Sequence, residues 1–310
     1  MKAEPQVLVV GDCMLDLYLE GAVQRISPEA PVPVLRMQRR SPRAGGASNV
    51  ALNLASLGCP CSLASSLGED AAGFCLEQLL DHPHIERHWV RSPLFPTTQK
   101  IRLVSQRQQL LRMDIEQPVP ALVAEALMSL VRPLLKRHRY LLLSDYGKGS
   151  LHESAQLLLD ARRAGCRTLV DPKNPDLGAY RGAWLLKPNL AELQAALGDW
   201  ADEAALRCRV DALLASLEIE HLLVTRGAEG MTLYARNGQV LQVPAETREV
   251  YDVSGAGDTA LAALACFLVR GASLEQAVRM ANRAAGIVVG KFGTARLSLA
   301  ELGIFEDDLA

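Results

Sequence analysis

Short apolar runs alternate along most of the chain with longer segments of helical period. The apolar runs have the length of buried strands and lie at 7–10, 140–143, 168–170, 184–186 and 222–225. The helical segments between them include 47–57, 152–164, 201–217 and 256–270. Strands that are apolar throughout and alternate with helices indicate a parallel sheet that is covered on both faces. The pattern therefore predicts an α/β fold.

Two stretches interrupt this alternation. Residues 16–38 contain several prolines among short β-like pieces, and residues 99–104 and 108–113 resemble two paired strands around a short turn. Together they predict a small separate sheet, or flap.

The first strand of this predicted pair has two different faces. Lys100 and Arg102 share one face and Ile101 and Leu103 share the other, because successive side chains of a strand point in opposite directions. The basic face suits an anionic ligand and the apolar face suits a partner surface. An ordinary solvent-exposed hairpin accounts for the periodicity equally well.

Composition narrows the possible functions. The chain has 310 residues, with 33 basic and 35 acidic side chains and a net charge of −2, which gives no overall field for a nucleic acid or an anionic membrane. The longest apolar run, 260–269, is far shorter than the roughly 20 residues that cross a bilayer. The N-terminus lacks the apolar region of a signal peptide, and the odd number of cysteines suits reduced thiols. We expect a soluble, cytoplasmic protein.

The segment with the clearest chemistry is 252–259, DVSGAGDT, which precedes a long apolar helix. Gly255 and Gly257 allow a sharp turn that exposes N–H groups at the helix N-terminus, where an anion is stabilised. Asp258 lies in the first turn, and stabilisation of the helix alone would explain it. The segment also matches the dinucleotide fingerprint G-x-G-x-x-A, but that motif should follow the first strand. A dehydrogenase is therefore a minor alternative.

Four motifs resemble those of the ribokinase-like (PfkB) sugar kinases. DVSGAGDT resembles the second family signature, in which the final Asp is the catalytic base and Gly-Ala-Gly forms an anion hole. GGASNVALN at 45–53 resembles the first signature, KPNLAE at 187–192 the N-x-x-E motif, and TRGAEG at 225–230 the nucleotide-side strand and turn. The motifs occur in family order and span most of the chain.

Further segments resemble one subgroup, the heptose 7-phosphate kinases of lipopolysaccharide precursor synthesis. The most distinctive is RISPEAPVPV at 25–34. The others are GDCMLD at 11–16, TTQKIR at 97–102, QQLLR at 108–112, SDYGKG at 144–149 and DPK at 171–173.

This resemblance implies a fold, a reaction and an assembly. The fold is a ribokinase-like, mostly parallel sheet flanked by helices, in a single domain over 1–310 with a small β-sheet lid at about 16–38 and 97–114. The reaction is transfer of the ATP γ-phosphate to the anomeric hydroxyl of D-glycero-β-D-manno-heptose 7-phosphate. Many relatives carry a following nucleotidyltransferase domain, and we expect a kinase without it. Relatives form dimers through such lids, so a homodimer is expected.

The resemblance also implies site residues. Asp258 is the expected base, and Gly255, Ala256 and Gly257 the expected anion hole. The expected substrate-binding residues are Asp12, Asp16, Gly45, Gly46, Asn49, Lys100, Arg102, Asp145 and Lys173. The expected ATP-binding residues are Asn189, Glu192, Thr225, Gly227 and Asn282, with Asn189 and Glu192 beside Mg²⁺ through water.

Some assignments stay open at this point. Lys100 and Arg102 are the preferred partners of the 7-phosphate, with Arg107, Lys148 and Lys173 as further candidates. Asn53 is expected only to pack or cap a helix. A ribokinase-like kinase of another sugar is the nearest alternative. A catalytically silent sugar-nucleotide sensor is a third possibility, although a sensor need not retain a base such as Asp258.

Overall fold

The computed structural model describes residues 4–106, 108–246 and 250–304. A nine-stranded sheet forms the centre of the protein. Its strands in spatial order are β13 (Val240–Val243), β12 (Met231–Ala235), β11 (His221–Thr225), β10 (Leu185–Leu186), β9 (Arg167–Asp171), β8 (Tyr140–Ser144), β1 (Val7–Gly11), β4 (Cys61–Gly68) and β5 (Ile85–Ser92). Neighbouring strands run parallel from β11 to β5, and β12 and β13 add an antiparallel edge.

Helices cover this sheet on both faces. They are α1 (Ala47–Ser56), α2 (Ala71–Leu79), α3 (Ala121–Val131), α4 (Ser154–Arg163), α5 (Leu190–Leu197), α6 (Glu203–Ser216), α7 (Ala256–Val269) and α8 (Leu274–Val288). Val7 and Val9 of β1 belong to a buried cluster with residues of α1, α7 and α8, whereas Leu8 and Val10 belong to another with residues of α3, α4 and α6. The strand alternates between two cores, which confirms the predicted α/β fold.

A second sheet of four strands begins directly after β1. Its order is β3 (Pro33–Gly46), β2 (Cys13–Ile26), β6 (Gln99–Ser105) and β7 (Gln108–Ile115). The predicted small sheet is therefore present, but β2 and β3 are long hairpin strands rather than short pieces. Pro28 and Pro31 lie in the turn between them and Pro33 begins β3, positions that a strand pair tolerates. Arg107 lies outside the described residues.

The apolar face predicted for this sheet is largely covered at one of its two residues. Ile101 is only 7% exposed. It lies on an inner strand, with neighbours on both sides, whereas the edge strand β7 exposes 58% of Leu111 and 48% of Met113. The exposed apolar surface of the small sheet therefore belongs mainly to its edge.

Two further features concern the helices and the cysteines. Within the described ranges, no helix is both long enough and apolar enough to cross a membrane. The seven cysteines are free thiols, and most of them are buried.

Candidate active site

Polar residues collect where the parallel strands end. Asp12 follows β1, Asp145 follows β8, Asp171 ends β9, Lys187 follows β10 and Thr225 ends β11. Parallel strands end at one edge of a sheet, and open α/β sheets bind ligands outside that edge. This edge is therefore the candidate active site.

The N-terminus of α7 lies at this edge and requires glycine. Gly255 caps the helix in the left-handed region, with φ 77, and a Cβ there would lie 2.7 Å from the side-chain nitrogen of Asn49. Among the described residues, the N–H groups of Gly255, Gly257 and Asp258 find no protein acceptor. The N–H of Ala256 donates to a preceding backbone carbonyl at 3.2 Å, so the expectation that it binds an anion does not fit this structure.

Asp258 is buried in the first turn of α7, with 2% of its surface exposed. Asn49 Nδ2 donates to its Oδ2 at 2.9 Å, and the Tyr146 hydroxyl donates to its Oδ1 at 2.6 Å. Burial raises the pKa of Asp258 to about 7, and the nearby Asp171 charge acts in the same direction, while both hydrogen bonds and Lys187 oppose the rise. A carboxylate that titrates near neutrality suits general base catalysis.

Asn49 is held in turn by Asn53, one helical turn later in α1. Asn53 Nδ2 donates to Asn49 Oδ1 at 3.1 Å, and Asn53 Oδ1 accepts the backbone N–H of Leu297 at 3.2 Å. Asn53 does more than pack or cap a helix, because it contacts a residue that touches Asp258.

A buried ion pair lies against the start of α7. Lys187 Nζ is 2.9 Å from Asp171 Oδ2, and Lys187 is buried. A Cβ on Gly257 would lie 3.4 Å from Lys187 Nζ and 3.6 Å from Asp171 Oδ2. Burial raises the pKa of Asp171, and Lys187 opposes the rise. This pair places a lysine ammonium beside the free N–H groups of the helix.

Asp16 and the two glycines of the first motif lie close together. Arg102 donates to Asp16 Oδ1, so both predicted side chains meet in a largely buried ion pair. A Cβ on Gly45 would lie 2.5 Å from Asp16 Oδ2. Gly46 has φ 62, and a Cβ there would lie 2.3 Å from the Asp12 carbonyl oxygen. Both glycines are needed for close packing around Asp16 and Asp12.

The carboxylate of Asp12 holds a loop. Its Oδ2 accepts the backbone N–H groups of Tyr146 at 2.9 Å and Lys148 at 3.0 Å, and its Oδ1 accepts that of Ser150 at 3.2 Å. Burial raises the pKa of Asp12, and these hydrogen bonds oppose the rise. The structure therefore gives Asp12 a framework role that differs from the expected direct contact with substrate.

Asp145 is engaged in a similar way. Its Oδ2 accepts the hydroxyl of Tyr180, and its Oδ1 accepts the N–H of Gly147 at 2.7 Å. Lys148, a further candidate for the phosphate, pairs with Glu116 at 2.6 Å. These contacts stabilise the loop that carries Tyr146.

Lys100 is placed differently from these paired residues. It makes no salt bridge within the part of the chain that the structure describes, and its Nζ lies 5.7 Å from the centre of the Tyr146 ring. Partial burial lowers its pKa, and Asp16 opposes that effect. Among the described residues, Lys100 therefore carries a positive charge without a salt bridge, and it lies near both Asp16 and the Tyr146 ring.

The expected nucleotide and metal residues meet at the start of α5. Asn189 Oδ1 accepts the N–H of Glu192 at 2.8 Å and Glu192 Oε2 accepts that of Asn189 at 3.0 Å, which is a capping box. Lys173 Nζ lies 3.3 Å from Glu192 Oε1, so this lysine, expected at the substrate, is beside the expected metal residues. These three residues line a cavity of about 330 Å³.

The other expected nucleotide residues are less closely grouped. Thr225 bridges to Asn189 across the ends of β11 and β10, and Gly227 begins the next turn with φ 57. Asn282 is buried in α8 and donates to the Pro244 carbonyl at 2.9 Å. The structure therefore gives Asn282 a packing contact with the segment after β13.

Tyr146, Asp171 and Lys187 belong to the site although the sequence alone predicts no role for them. Each lies in one of the segments that carry the family resemblance, just after an apolar strand or at its end. A polar residue at the carboxyl end of a parallel strand was the available signal.

The chain is similar in sequence to known carbohydrate kinases and their relatives. The profile of the pfkB family carbohydrate kinases matches residues 4–301. The chain is 50% identical over 296 residues to "Bifunctional protein HldE" from Azotobacter vinelandii and 48% identical over 297 residues to that from Halorhodospira halophila. Each match covers 96% of this chain and 62% of the relative, so the chain spans less than two thirds of their length.

Solved structures match over nearly the whole chain. Phosphofructokinase-2 from Escherichia coli superposes with a TM-score of 0.81 at 22% identity and covers 97% of both chains. Ribokinase from Arabidopsis thaliana, solved with ribose and ATP, gives 0.73 at 20% identity and covers 99% of this chain and 98% of its own. These matches confirm the ribokinase-like fold. With the profile match and the close relatives, they lead to one conclusion: the chain belongs to the pfkB family of carbohydrate kinases.

Proposed function

We propose that the protein transfers the γ-phosphate of ATP to the anomeric hydroxyl of D-glycero-β-D-manno-heptose 7-phosphate. Family membership supports a carbohydrate acceptor. The segments at 25–34 and 144–149 support the phosphorylated heptose, because they resemble the heptose 7-phosphate kinases. The product would be the 1,7-bisphosphate, a precursor of ADP-heptose and the lipopolysaccharide core, formed in the cytoplasm.

The observation that carries this proposal is the environment of Asp258. A buried carboxylate with a pKa of about 7 lies in the first turn of α7, beside backbone N–H groups that find no acceptor among the described residues. An acceptor hydroxyl at this place would lie between a proton acceptor and an anion-binding helix end.

The chemical step follows from that placement. The acceptor oxygen forms a bond to the γ-phosphorus while the bond from that phosphorus to the β,γ-bridging oxygen breaks, and ADP leaves. Asp258 takes the hydroxyl proton. Its carboxylate need not be strongly basic, because the proton becomes more acidic as the oxygen bonds to phosphorus.

The negative charge on the transferred phosphoryl group must be stabilised by hydrogen-bond donors. The N–H groups of Gly255 and Gly257 are available, and such donors typically contribute a few kcal/mol each to the transition state. Lys187 lies close enough to Gly257 to add a positive charge on the same side, with Asp171 holding its ammonium group.

Asn189, Glu192 and Lys173 suit the phosphates of ATP. Among the described residues no group of three or more His, Cys, Asp or Glu could hold a metal ion, and the capping box already engages oxygens of Asn189 and Glu192. These residues fit Mg²⁺ only as a hydrated ion that arrives with the nucleotide, to which Glu192 would bind through water. When bound, the ion neutralises phosphate charge.

On the acceptor side, Asp16 and Asn49 are the proposed sugar contacts. Asp12, Gly45 and Gly46 would shape the pocket, and Asp145 would hold the adjoining loop. Lys100 is the preferred partner of the 7-phosphate, because Arg102 is already paired with Asp16. Arg102 would then orient Asp16 and add charge nearby.

A second copy of the chain is the proposed cover for the exposed edge of the small sheet. Leu111 and Met113 of the edge strand β7 expose 58% and 48% of their surface. Exposed apolar strand edges favour association, and a lid-to-lid homodimer would bury them.

The proposed reaction is tested with Asp258→Asn, assayed for ADP release with heptose 7-phosphate. Turnover should fall by at least about a thousandfold while heptose binding, measured by calorimetry, changes little. Asp202→Asn is the control, because Asp202 caps α6 and Asn is an equally good cap. Near-native turnover in Asp258→Asn would contradict the proposed function.

A further inference from the structure

A buried chain of hydrogen bonds connects the C-terminal segment to Asp258. The backbone N–H of Leu297 donates to Asn53 Oδ1 at 3.2 Å, Asn53 Nδ2 donates to Asn49 Oδ1 at 3.1 Å, and Asn49 Nδ2 donates to Asp258 Oδ2 at 2.9 Å. All four residues are buried. The two asparagines lie one turn apart on α1, on the face that packs against α7.

The backbone N–H of Leu297 fixes the donor-to-acceptor direction of these hydrogen bonds. A backbone N–H can only donate, so Asn53 must turn its carbonyl oxygen to Leu297 and its amide nitrogen to Asn49. The amide nitrogen of Asn53 can only donate as well, and it donates to the backbone carbonyl of Asn49 at 3.0 Å and to its Oδ1 at 3.1 Å, so the side-chain oxygen of Asn49 faces Asn53. Asn49 therefore has only its nitrogen left for Asp258.

The opposite orientation of Asn49 would be unfavourable for the base. It would place the Asn49 oxygen against Asp258 Oδ2, so that two acceptors would face each other without a proton between them. The ionised carboxylate would lose a donor and gain a repulsive neighbour. Asp258 itself favours this orientation when it is ionised, and Asn53 favours it in either protonation state of Asp258.

We propose that Asn53 is a positioning residue for phosphoryl transfer, which locks the Asn49 amide so that its N–H groups face Asp258. This inference rests on the proposed role of Asp258 as the base. Asn53 acts through Asn49 and touches neither the acceptor nor ATP in this assignment.

Other groups around Asp258 are independent of Asn53. The titratable groups that face the carboxylate are Tyr146 from the loop after β8, Asp171 from the end of β9 and Lys187 from the end of β10. The contact from α1 is the neutral Asn49. A neutral substitution at Asn53 therefore changes its hydrogen bonds to Asn49 and Leu297 and leaves these charges in place.

The test compares Asn53→Ala, Asn53→Ser, Asn49→Ala and the double variant Asn49→Ala/Asn53→Ala. The measurement is the pH dependence of kcat/KM with heptose 7-phosphate, with thermal melting as the check on folding. Serine keeps a hydroxyl that can accept the Leu297 N–H, so it separates docking of the C-terminal segment from orientation of Asn49. Thr168→Val is the control, since Thr168 is buried and accepts the Trp184 N–H at 3.0 Å, a contact that involves none of the four residues.

Both Asn53 variants should move the acidic limb of the kcat/KM profile upward by about one pH unit. At pH values below the limb, kcat/KM should then fall about tenfold, and near pH 9 it should change little. KM for ATP should change less than about twofold. In the Asn49→Ala background, Asn53→Ala should add no further shift, because Asn53 acts only through Asn49.

Two results would overturn the proposal: an acidic limb that stays in place in Asn53→Ser, or a shift in Asn53→Ala that persists in the Asn49→Ala background. If Asn53→Ala does not fold, the serine variant decides. Turnover by Asp258→Asn would contradict the proposed base instead, so the two failures are distinguishable.

Discussion

Replacement of Tyr146 by phenylalanine removes one hydrogen bond from the proposed base and leaves the ring in place. The Tyr146 hydroxyl donates to Asp258 Oδ1 at 2.6 Å. Burial, and then the negative charges of Asp258 and Asp171, raise the pKa of Tyr146 well above its ordinary value. The phenol therefore stays protonated and stabilises the ionised form of Asp258 throughout the assay range.

The size of the effect follows from this contact. A hydrogen bond to a charged group contributes about 1.5–3 kcal/mol, which corresponds to about one to two pKa units. Asp258 has a pKa of about 7, so about half of it is ionised at pH 7. In Tyr146→Phe, about a tenth to a hundredth would be ionised, and kcat/KM at pH 7 should fall about five- to fiftyfold.

The assay is the initial rate of ADP release between about pH 5.5 and pH 9.5. The loss should shrink steadily as the pH rises, because the carboxylate of the variant then ionises. Tyr140→Phe is the matched control, since Tyr140 is a buried tyrosine whose hydroxyl only reaches the Leu268 carbonyl at 3.4 Å. An acidic limb that stays in place, or a loss of equal size at every pH, would refute the reasoning.

Three further predictions concern stability, backbone and assembly. The pKa of Asp258 rises from 3.8 to about 7 on folding, so the folded state binds more protons between those pH values and loses stability as the pH rises through them. Asp258→Asn should therefore raise the melting temperature at pH 8, by the equivalent of up to about 4 kcal/mol of unfolding free energy. At pH 4 the increase should be much smaller. Equal effects at both pH values would contradict this. Gly255→Ala should lower kcat at least about tenfold, because its Cβ would collide with Asn49, whereas Gly271→Ala, with φ 86 and no atom within 4 Å, should cost only about 1 kcal/mol of stability; equal kinetics in the two variants would count against the tight fit at α7. Leu111→Glu with Met113→Glu should give a monomer by light scattering at micromolar concentration, where the native chain should give a dimer; an unchanged mass would place the interface elsewhere.

The alternation of strands and helices could be predicted from the sequence, because burial on both faces makes each strand of the large sheet apolar. Residues 7–10 and 140–143 were therefore recognisable as strands within a residue of their ends. The length of β3 could not be predicted from the sequence. Most of its residues are exposed or half-buried, so the strand carries a weak apolar signal and depends on pairing with β2.

In the candidate site, too, some residues have a local sequence signal and others do not. Asp258 and Gly255 were identifiable, because a helix N-terminus with glycines and an acid has a local signature. The carboxylate of Asp12 was expected at the substrate, but it binds the loop at Tyr146 and Lys148, which are far away in the sequence. Contacts that depend on which strands become neighbours, such as Tyr146 with Asp258, have no local signature.

The same limit explains Asn53. An asparagine inside a helix is most simply explained by packing or capping, and its partner Leu297 lies near the other end of the chain. The structure shows that this residue belongs to the surroundings of Asp258.

Phosphorus NMR of the product formed from ATP and D-glycero-β-D-manno-heptose 7-phosphate tests the central claim most directly. We expect a new anomeric phosphate resonance beside the retained 7-phosphate, formed together with ADP by the native protein and not by Asp258→Asn. A product phosphorylated at another carbon, or unchanged heptose 7-phosphate while another sugar is consumed, would contradict it.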